Sequence, residues 1–203
     1  MKIRKMCREI AKKSIAVVFA GLVAAVCFAA VAGAEKICSD NDPAIPSFGS
    51  GPVDVRLYAS YFCGPCRVLE PEIEPVLKDL IENEQIRLIF IDVPIPQAVP
   101  YIRHFLYAVK QNPAMEDAFK IRHILFETAA KRGDEQEIRS SFEKREIPYT
   151  PYDVTKVFLK FNEYLKEDEV RSTPSIVICD GDSVDIYSGG KTILEALEAL
   201  QAD

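Results

Sequence analysis

Tyr61-Phe62-Cys63-Gly64-Pro65-Cys66-Arg67-Val68-Leu69 is the stretch on which the reading of this chain turns. Two cysteines with two residues between them can close into a disulfide without large backbone movement. The apolar run before them, Val53 to Ala59, reads as a strand, and Arg67 to Ile81 carries apolar residues at helical spacing. The first cysteine therefore stands at a helix N-terminus, where unpaired backbone N–H groups and the positive end of the dipole favour its thiolate. Thiolate is the attacking species in disulfide exchange, so the placement implies redox chemistry. A zinc half-site is the rival reading, as is a plain structural bridge. Zinc needs four ligands, and the sequence offers neither a second Cys-x-x-Cys nor a His pair at ligand spacing. No metal site is expected.

Working outward, residues 35–52 are rich in Pro, Gly, Ser and Asp and read as an irregular lead-in, with a short edge strand near Ile45 to Phe48. Val53, Val55 and Leu57 alternate with Asp54 and Arg56, which predicts a strand with one strongly buried face. In the following helix, Leu69, Ile73, Val76, Leu77 and Leu80 make the apolar stripe, and Pro71 inside it predicts a kink. Ile86 to Val93 is a continuous apolar strand. From Pro100 to Lys166 the period becomes helical, with helices predicted at Tyr101–Lys110, Met115–Lys131, Glu135–Lys144 and Val154–Lys166. Ser175 to Cys179 is again a strand, Asp180-Gly181-Asp182 a hairpin turn into Val184 to Tyr187, and Ile193 to Leu200 a closing helix. The order is β-α-β, a helical block, then β-β-α.

The N-terminus predicts where this chemistry takes place. Lys2, Arg4, Lys5, Arg8, Lys12 and Lys13 face one acid, Glu9, and an apolar or small-residue run follows from Ser14 to Ala32. With Ala32-Gly33-Ala34 as a cleavage triplet, this is the three-part pattern of a secretory signal peptide. An uncleaved anchor is the alternative, since about 18 apolar residues lie near the lower limit for spanning a bilayer. The alanine-rich run and the triplet favour removal and a periplasmic protein. Cleavage after Ala34 leaves 19 of 25 basic and 30 of 31 acidic residues, a net charge of −11. A surface of that sign repels nucleic acid and anionic lipid, so no nucleic-acid partner is expected.

These motifs, in this order, resemble the thioredoxin superfamily. Cys63-Gly64-Pro65-Cys66 matches thioredoxin's own active-site dipeptide, and Pro71 falls where thioredoxins kink the same helix. Thr173-Pro174, directly before the strand Ser175–Cys179, matches the family's cis-proline position. The helical insertion, together with Ile45-Pro46-Ser47-Phe48-Gly49 and Tyr61-Phe62, is similar to the DsbA-like periplasmic branch. The resemblance implies an α/β thioredoxin fold, a mixed sheet flanked by helices, with an inserted helical domain. Its parts would be a signal peptide over 1–34, a first half with the cysteines over 35–94, the insertion over 95–170, and a second half with the cis-proline over 171–203.

The resemblance also assigns roles. Cys63 would be the exposed nucleophile and Cys66 the shielded partner that resolves the mixed disulfide, with Gly64 and Pro65 shaping the turn. A cis bond before Pro174 would aim the Thr173 backbone at the cysteines, ready to pair with an extended substrate segment. Phe62 and Tyr61 offer an apolar surface for unfolded chains, or equally a packed strand end. The expected activity is DsbA-like disulfide exchange with exported or unfolded proteins by a monomer. It would need no cofactor beyond its own dithiol and would be recharged by a membrane redox partner. Two alternatives stand beside it. One is a reductase or isomerase for selected proteins such as apocytochromes c, the other a binding module or chaperone with a structural bridge. A copper carrier lacks its ligating His here, and a peroxidase its local motif.

Some positions depart from the family. Leu57 stands where thioredoxins carry a buried acid, so a proton relay to Cys66 through that position is absent. The dipeptide lacks the DsbA histidine, and Thr173 is closer to the periplasmic isomerases. Cys38 and Cys179 form an even pair in an exported chain, which predicts a bridge between them. His104 and His123, on amphipathic helices, read as packing or surface residues. The carboxylates, scattered over helical faces, read as solvated.

Overall fold

The computed structural model describes residues 42–202. The expected signal peptide, its cleavage after Ala34 and Cys38 lie outside the described residues. Among those described, no helix is long and apolar enough to cross a membrane.

Five strands form one sheet: β1 (Ser47–Phe48), β2 (Val53–Ala59), β3 (Ile86–Asp92), β4 (Ser175–Asp180) and β5 (Ser183–Ser188), in the order β1-β3-β2-β4-β5. β2 and β3 run parallel, as the intervening helix α1 (Gly64–Glu82) requires, and the other pairings are antiparallel. Asp180 pairs with Ser183 across a two-residue hairpin loop in which Gly181 takes φ 54°. Between β3 and β4 lie α2 (Val99–Gln111), α3 (Met115–Ala130), α4 (Glu135–Glu143) and α5 (Thr155–Glu167), and α6 (Gly190–Gln201) closes the chain. The Asp134–Glu137 capping box starts α4, satisfying backbone donors at both ends of the box. α1 packs against α6 and α3, so the helix that follows the cysteines is wedged between the last helix and the helical block.

The elements fall within a few residues of their predicted places, with two physical corrections. The lead-in strand shrinks from Ile45–Phe48 to Ser47–Phe48, because only those two residues pair with β3. The second correction concerns β2, where both faces are covered. Asp54 and Arg56, read as a polar face, are 7% and 3% exposed. Arg56 donates to both carboxylate oxygens of Asp168 at 3.1 and 3.0 Å, and its guanidinium lies 4.2 Å from the centre of the Tyr164 ring. Arg87 donates to Asp54 at 2.7 Å. Charge is tolerated on a central strand because each group meets a partner of opposite sign.

Pro71 and Pro75 both sit inside α1 without ending it. The helix instead begins three residues earlier than predicted, at Gly64, so Cys66 belongs to its first turn.

Candidate active site

Cys63 is the N-cap residue of α1. Its backbone is extended (φ −88°, ψ 109°), and its sulfur accepts the backbone N–H of Cys66 at 3.1 Å. Gly64 and Pro65 fill the first two helical positions, where the missing proline donor costs nothing because that N–H has no partner in a helix. Both are exposed, and a Cβ on Gly64 would meet nothing within 4 Å. Cys63 is half-buried and Cys66 is 1% exposed. The two are joined in a disulfide. The asymmetry is chemical: a substrate can reach one sulfur and is screened from the other.

The second wall of the site comes from the start of β4. The Thr173–Pro174 bond is cis, and the Thr173 carbonyl oxygen lies 3.4 Å from Cys63 Sγ. Residues 110 positions apart therefore meet at the end of the sheet. A groove of about 400 Å³ opens beside them, lined among others by Ser60, Phe62, Val93, Ile95, Arg171 and Thr173. Tyr61 and Phe62, equivalent in sequence, separate here. Tyr61 is 2% exposed and buried against Tyr101 and Phe126, whereas Phe62 is 37% exposed and rests edge-on upon Tyr101 at 5.3 Å. Cys179 lies on β4 opposite Asp54, away from this groove's lining, and is disulfide-bonded; Cys38 is outside the described residues.

Beneath the motif lies a buried charge cluster that the sequence reading missed. Glu70, one turn after Cys66, accepts from Arg122 of α3, whose Nε lies 3.1 and 2.9 Å from its two oxygens. The same guanidinium donates to Asp92, at the end of β3, at 3.0 and 3.1 Å, and the Tyr61 hydroxyl donates to Asp92 at 3.2 Å. Burial pushes the Glu70 and Asp92 carboxyls above their ordinary range, against the downward pull of Arg122. Burial also raises the Tyr61 phenol, and the neighbouring Asp92 charge raises it further. A signal was present: Glu70 falls on the same helical stripe as Cys66, Ile73 and Leu77, where a solvated acid has no place. Leu57, where the family carries its acid, is 1% exposed and apolar.

The histidines pack or face solvent. His104 is buried against Tyr107, Phe142 and Tyr149, while His123 is exposed and 3.2 Å from Glu127. Among the described residues no group of three or more His, Cys, Asp or Glu is placed to hold a metal ion.

Comparison with known families fits this geometry. A family model described as thioredoxin matches residues 49–199. The chain belongs to the thioredoxin family. Among solved structures, a periplasmic thioredoxin-like protein from Salmonella enterica serovar Typhimurium is 18% identical with a TM-score of 0.62, covering 81% of this chain and 94% of its own. Wolbachia pipientis alpha-DsbA1 is 15% identical with a TM-score of 0.62, covering 79% and 92%. The catalytic domain of Proteus mirabilis ScsC is 18% identical with a TM-score of 0.58, covering 81% and 93%. At such identities the likeness is one of fold, and it is the DsbA-like fold. No curated protein matches the chain. Family, fold and the Cys63–Cys66 disulfide together support a thiol–disulfide oxidoreductase.

Proposed function

We propose that this protein is a periplasmic thiol–disulfide oxidoreductase that exchanges disulfides with exported or unfolded protein substrates. The observation that carries the reading is the half-buried Cys63 sulfur. It is bonded to the buried Cys66 at the start of α1 and faces the Thr173 carbonyl at 3.4 Å. In the oxidised protein a substrate thiolate attacks Cys63, the Cys63–Cys66 bond breaks, and Cys66 leaves with the electron pair. A second substrate thiol then attacks the mixed disulfide at its substrate sulfur and releases Cys63. The dithiol is the only redox group this scheme uses. A membrane redox partner would reset it, and a monomer suffices.

Thr173 would pair its backbone with an extended substrate segment, and Phe62 would give that segment an apolar seat. The similar Salmonella enterica protein is a periplasmic thioredoxin-like protein, which supports the compartment read from the N-terminus.

A reductase reading is favoured by one specific feature, the Gly64-Pro65 dipeptide. The reduction potential of the Cys63–Cys66 pair separates the two. A value near −120 mV would make the protein a donor of disulfides, and one near −270 mV a reductant, about the span between known dithiol enzymes. The activity itself is tested by Cys66→Ser, which should accumulate mixed disulfides at Cys63 with disulfide-bearing substrates, because the Cys63 thiolate opens the substrate bond and no Cys66 thiol resolves the product. Turnover must vanish in Cys63→Ser; if the wild type shows no turnover either and Cys63→Ser binds unfolded substrate equally well, the chain is a binding module whose bridge is structural.

A further inference from the structure

Ser60 is buried, 6% exposed, and its hydroxyl oxygen has no hydrogen-bond partner among the described residues. Such a group is costly to leave unsatisfied, so its persistence calls for a partner in some other state of the protein. Its surroundings identify that partner. Ser60 and Cys63 are the ends of one turn, in which the Cys63 N–H donates to the Ser60 carbonyl at 2.9 Å. Both side chains line the same groove of about 400 Å³. In the disulfide form, Cys63 Sγ is committed to Cys66 and carries no charge. Opening that bond changes what the groove contains.

When a substrate dithiol reduces the protein, the Cys63–Cys66 bond breaks and the substrate sulfurs join. Two electrons and two protons pass to the cysteines, and Cys63 then releases its proton to solvent. The resulting thiolate already has one donor, the Cys66 N–H. We infer that the Ser60 hydroxyl is its second donor, so that Ser60 positions and stabilises the Cys63 thiolate of the reduced protein. This rests on Cys63 being the attacking sulfur, as proposed above.

The groups around that thiolate leave room for the role. Among the described residues that line the groove, Arg171 is the one charged side chain, and it is exposed. On α1 the nearest ionisable groups are Cys66 and the exposed Arg67. Tyr61, next to Ser60, is turned inward and donates to Asp92. The Val93–Gln97 segment brings no charge to the groove, and the Thr173 carbonyl repels a thiolate rather than supporting it. A hydroxyl donor therefore matters. It also acts with one sign on both redox forms, stabilising the reduced state and leaving the oxidised one unsatisfied.

The test is the thiolate absorbance of the reduced full-length protein against pH, for wild type and Ser60→Ala, with Ser60→Gly as a second variant adding no bulk. The Cys63 midpoint should rise by half to one pH unit in both variants. That is a three- to tenfold smaller thiolate population on the acid limb. The reduction potential should fall in parallel, by about 30 mV for a tenfold change in the exchange constant. A signal that Cys63→Ser abolishes and that neither Ser60 variant moves overturns the role of Ser60 alone. Loss of exchange rate in Ser60→Ala at an unchanged midpoint also overturns it, because the hydroxyl then serves the substrate. A reduced wild type with no thiol titrating below the ordinary cysteine range, about 8.5, removes the premise that Cys63 is an activated nucleophile.

Discussion

Arg122 on α3 donates to both carboxylate oxygens of Asp92 at the end of β3, at 3.0 and 3.1 Å, and it is wholly buried. It also holds Glu70 of α1, and its guanidinium lies 4.4 Å from the centre of the Phe90 ring. One cation thus ties the cysteine-bearing helix and the sheet to the helical block. Arg122→Met would keep most of the volume while stranding two buried carboxylates. We expect a loss of about 3–5 kcal/mol in urea unfolding, the cost of breaking a buried pair from one side. The triple variant Arg122→Met, Glu70→Gln, Asp92→Asn should recover part of it, since neutral amides are cheaper to bury than carboxylates.

His104 contributes to the acid limb of stability. Its ring Nδ1 donates to the Pro100 carbonyl at 2.8 Å, and burial lowers its pKa below the ordinary value against that bond and the Glu135 charge, with Arg103 and Arg139 also lowering it. A lowered pKa means the unfolded chain binds the proton more readily. Stability is therefore full above the unfolded histidine value, about 6.5, and declines as pH falls toward the folded value. His104→Phe, placed among Tyr107, Phe142 and Tyr149, should unfold with a flatter pH dependence between pH 7 and 5 than the wild type. Equal slopes for the two proteins in that window would assign the acid limb to other groups.

Much of this was legible because local chemistry and global fold agree. The Cys63 to Leu69 stretch is a helix start in its own right, and the Asp134–Glu137 capping box and the Gly181-Asp182 loop need no distant partner. What stayed hidden was long-range. Asp54 and Arg56 alternate with Val53, Val55 and Leu57 as a solvent face would, and only Arg87 and Asp168 reveal them as buried. The separation between Arg56 and Asp168 is 112 residues, which no periodicity window spans. Ser60 was overlooked for the opposite reason: an isolated serine at a strand end is unremarkable until its hydroxyl is found without a partner.

Gly51 sits where the chain passes closest to the start of β3. A Cβ there would lie 2.2 Å from both the Gln85 carbonyl carbon and the Ile86 nitrogen. Those are backbone atoms, unable to rotate away, and Gly51 N–H donates to Ile86 O at 3.1 Å in the same contact. Gly51→Ala should cost at least about 1–3 kcal/mol, the usual range for overpacking, read as a lower urea midpoint. Gly64→Ala, with open space around its Cβ, provides the contrast and should change stability by well under that amount.

Asp168 ends α5 and is 1% exposed, accepting from Arg56 and from the Tyr58 hydroxyl. Val170, two residues on, already lines the groove beside Cys63. The carboxylate therefore anchors the segment leading to Thr173 onto the central strand. Asp168→Ala removes a carboxylate partner from a guanidinium that cannot lose its charge, and we expect about 3–5 kcal/mol of destabilisation. Asp168→Asn keeps one acceptor oxygen and should cost less. If the anchor also holds the groove, Asp168→Asn should slow exchange with an unfolded substrate more than exchange with a small dithiol, which needs only Cys63. Equal slowing of both would mean that the change reaches the cysteines themselves, and no slowing of either would confine Asp168 to stability.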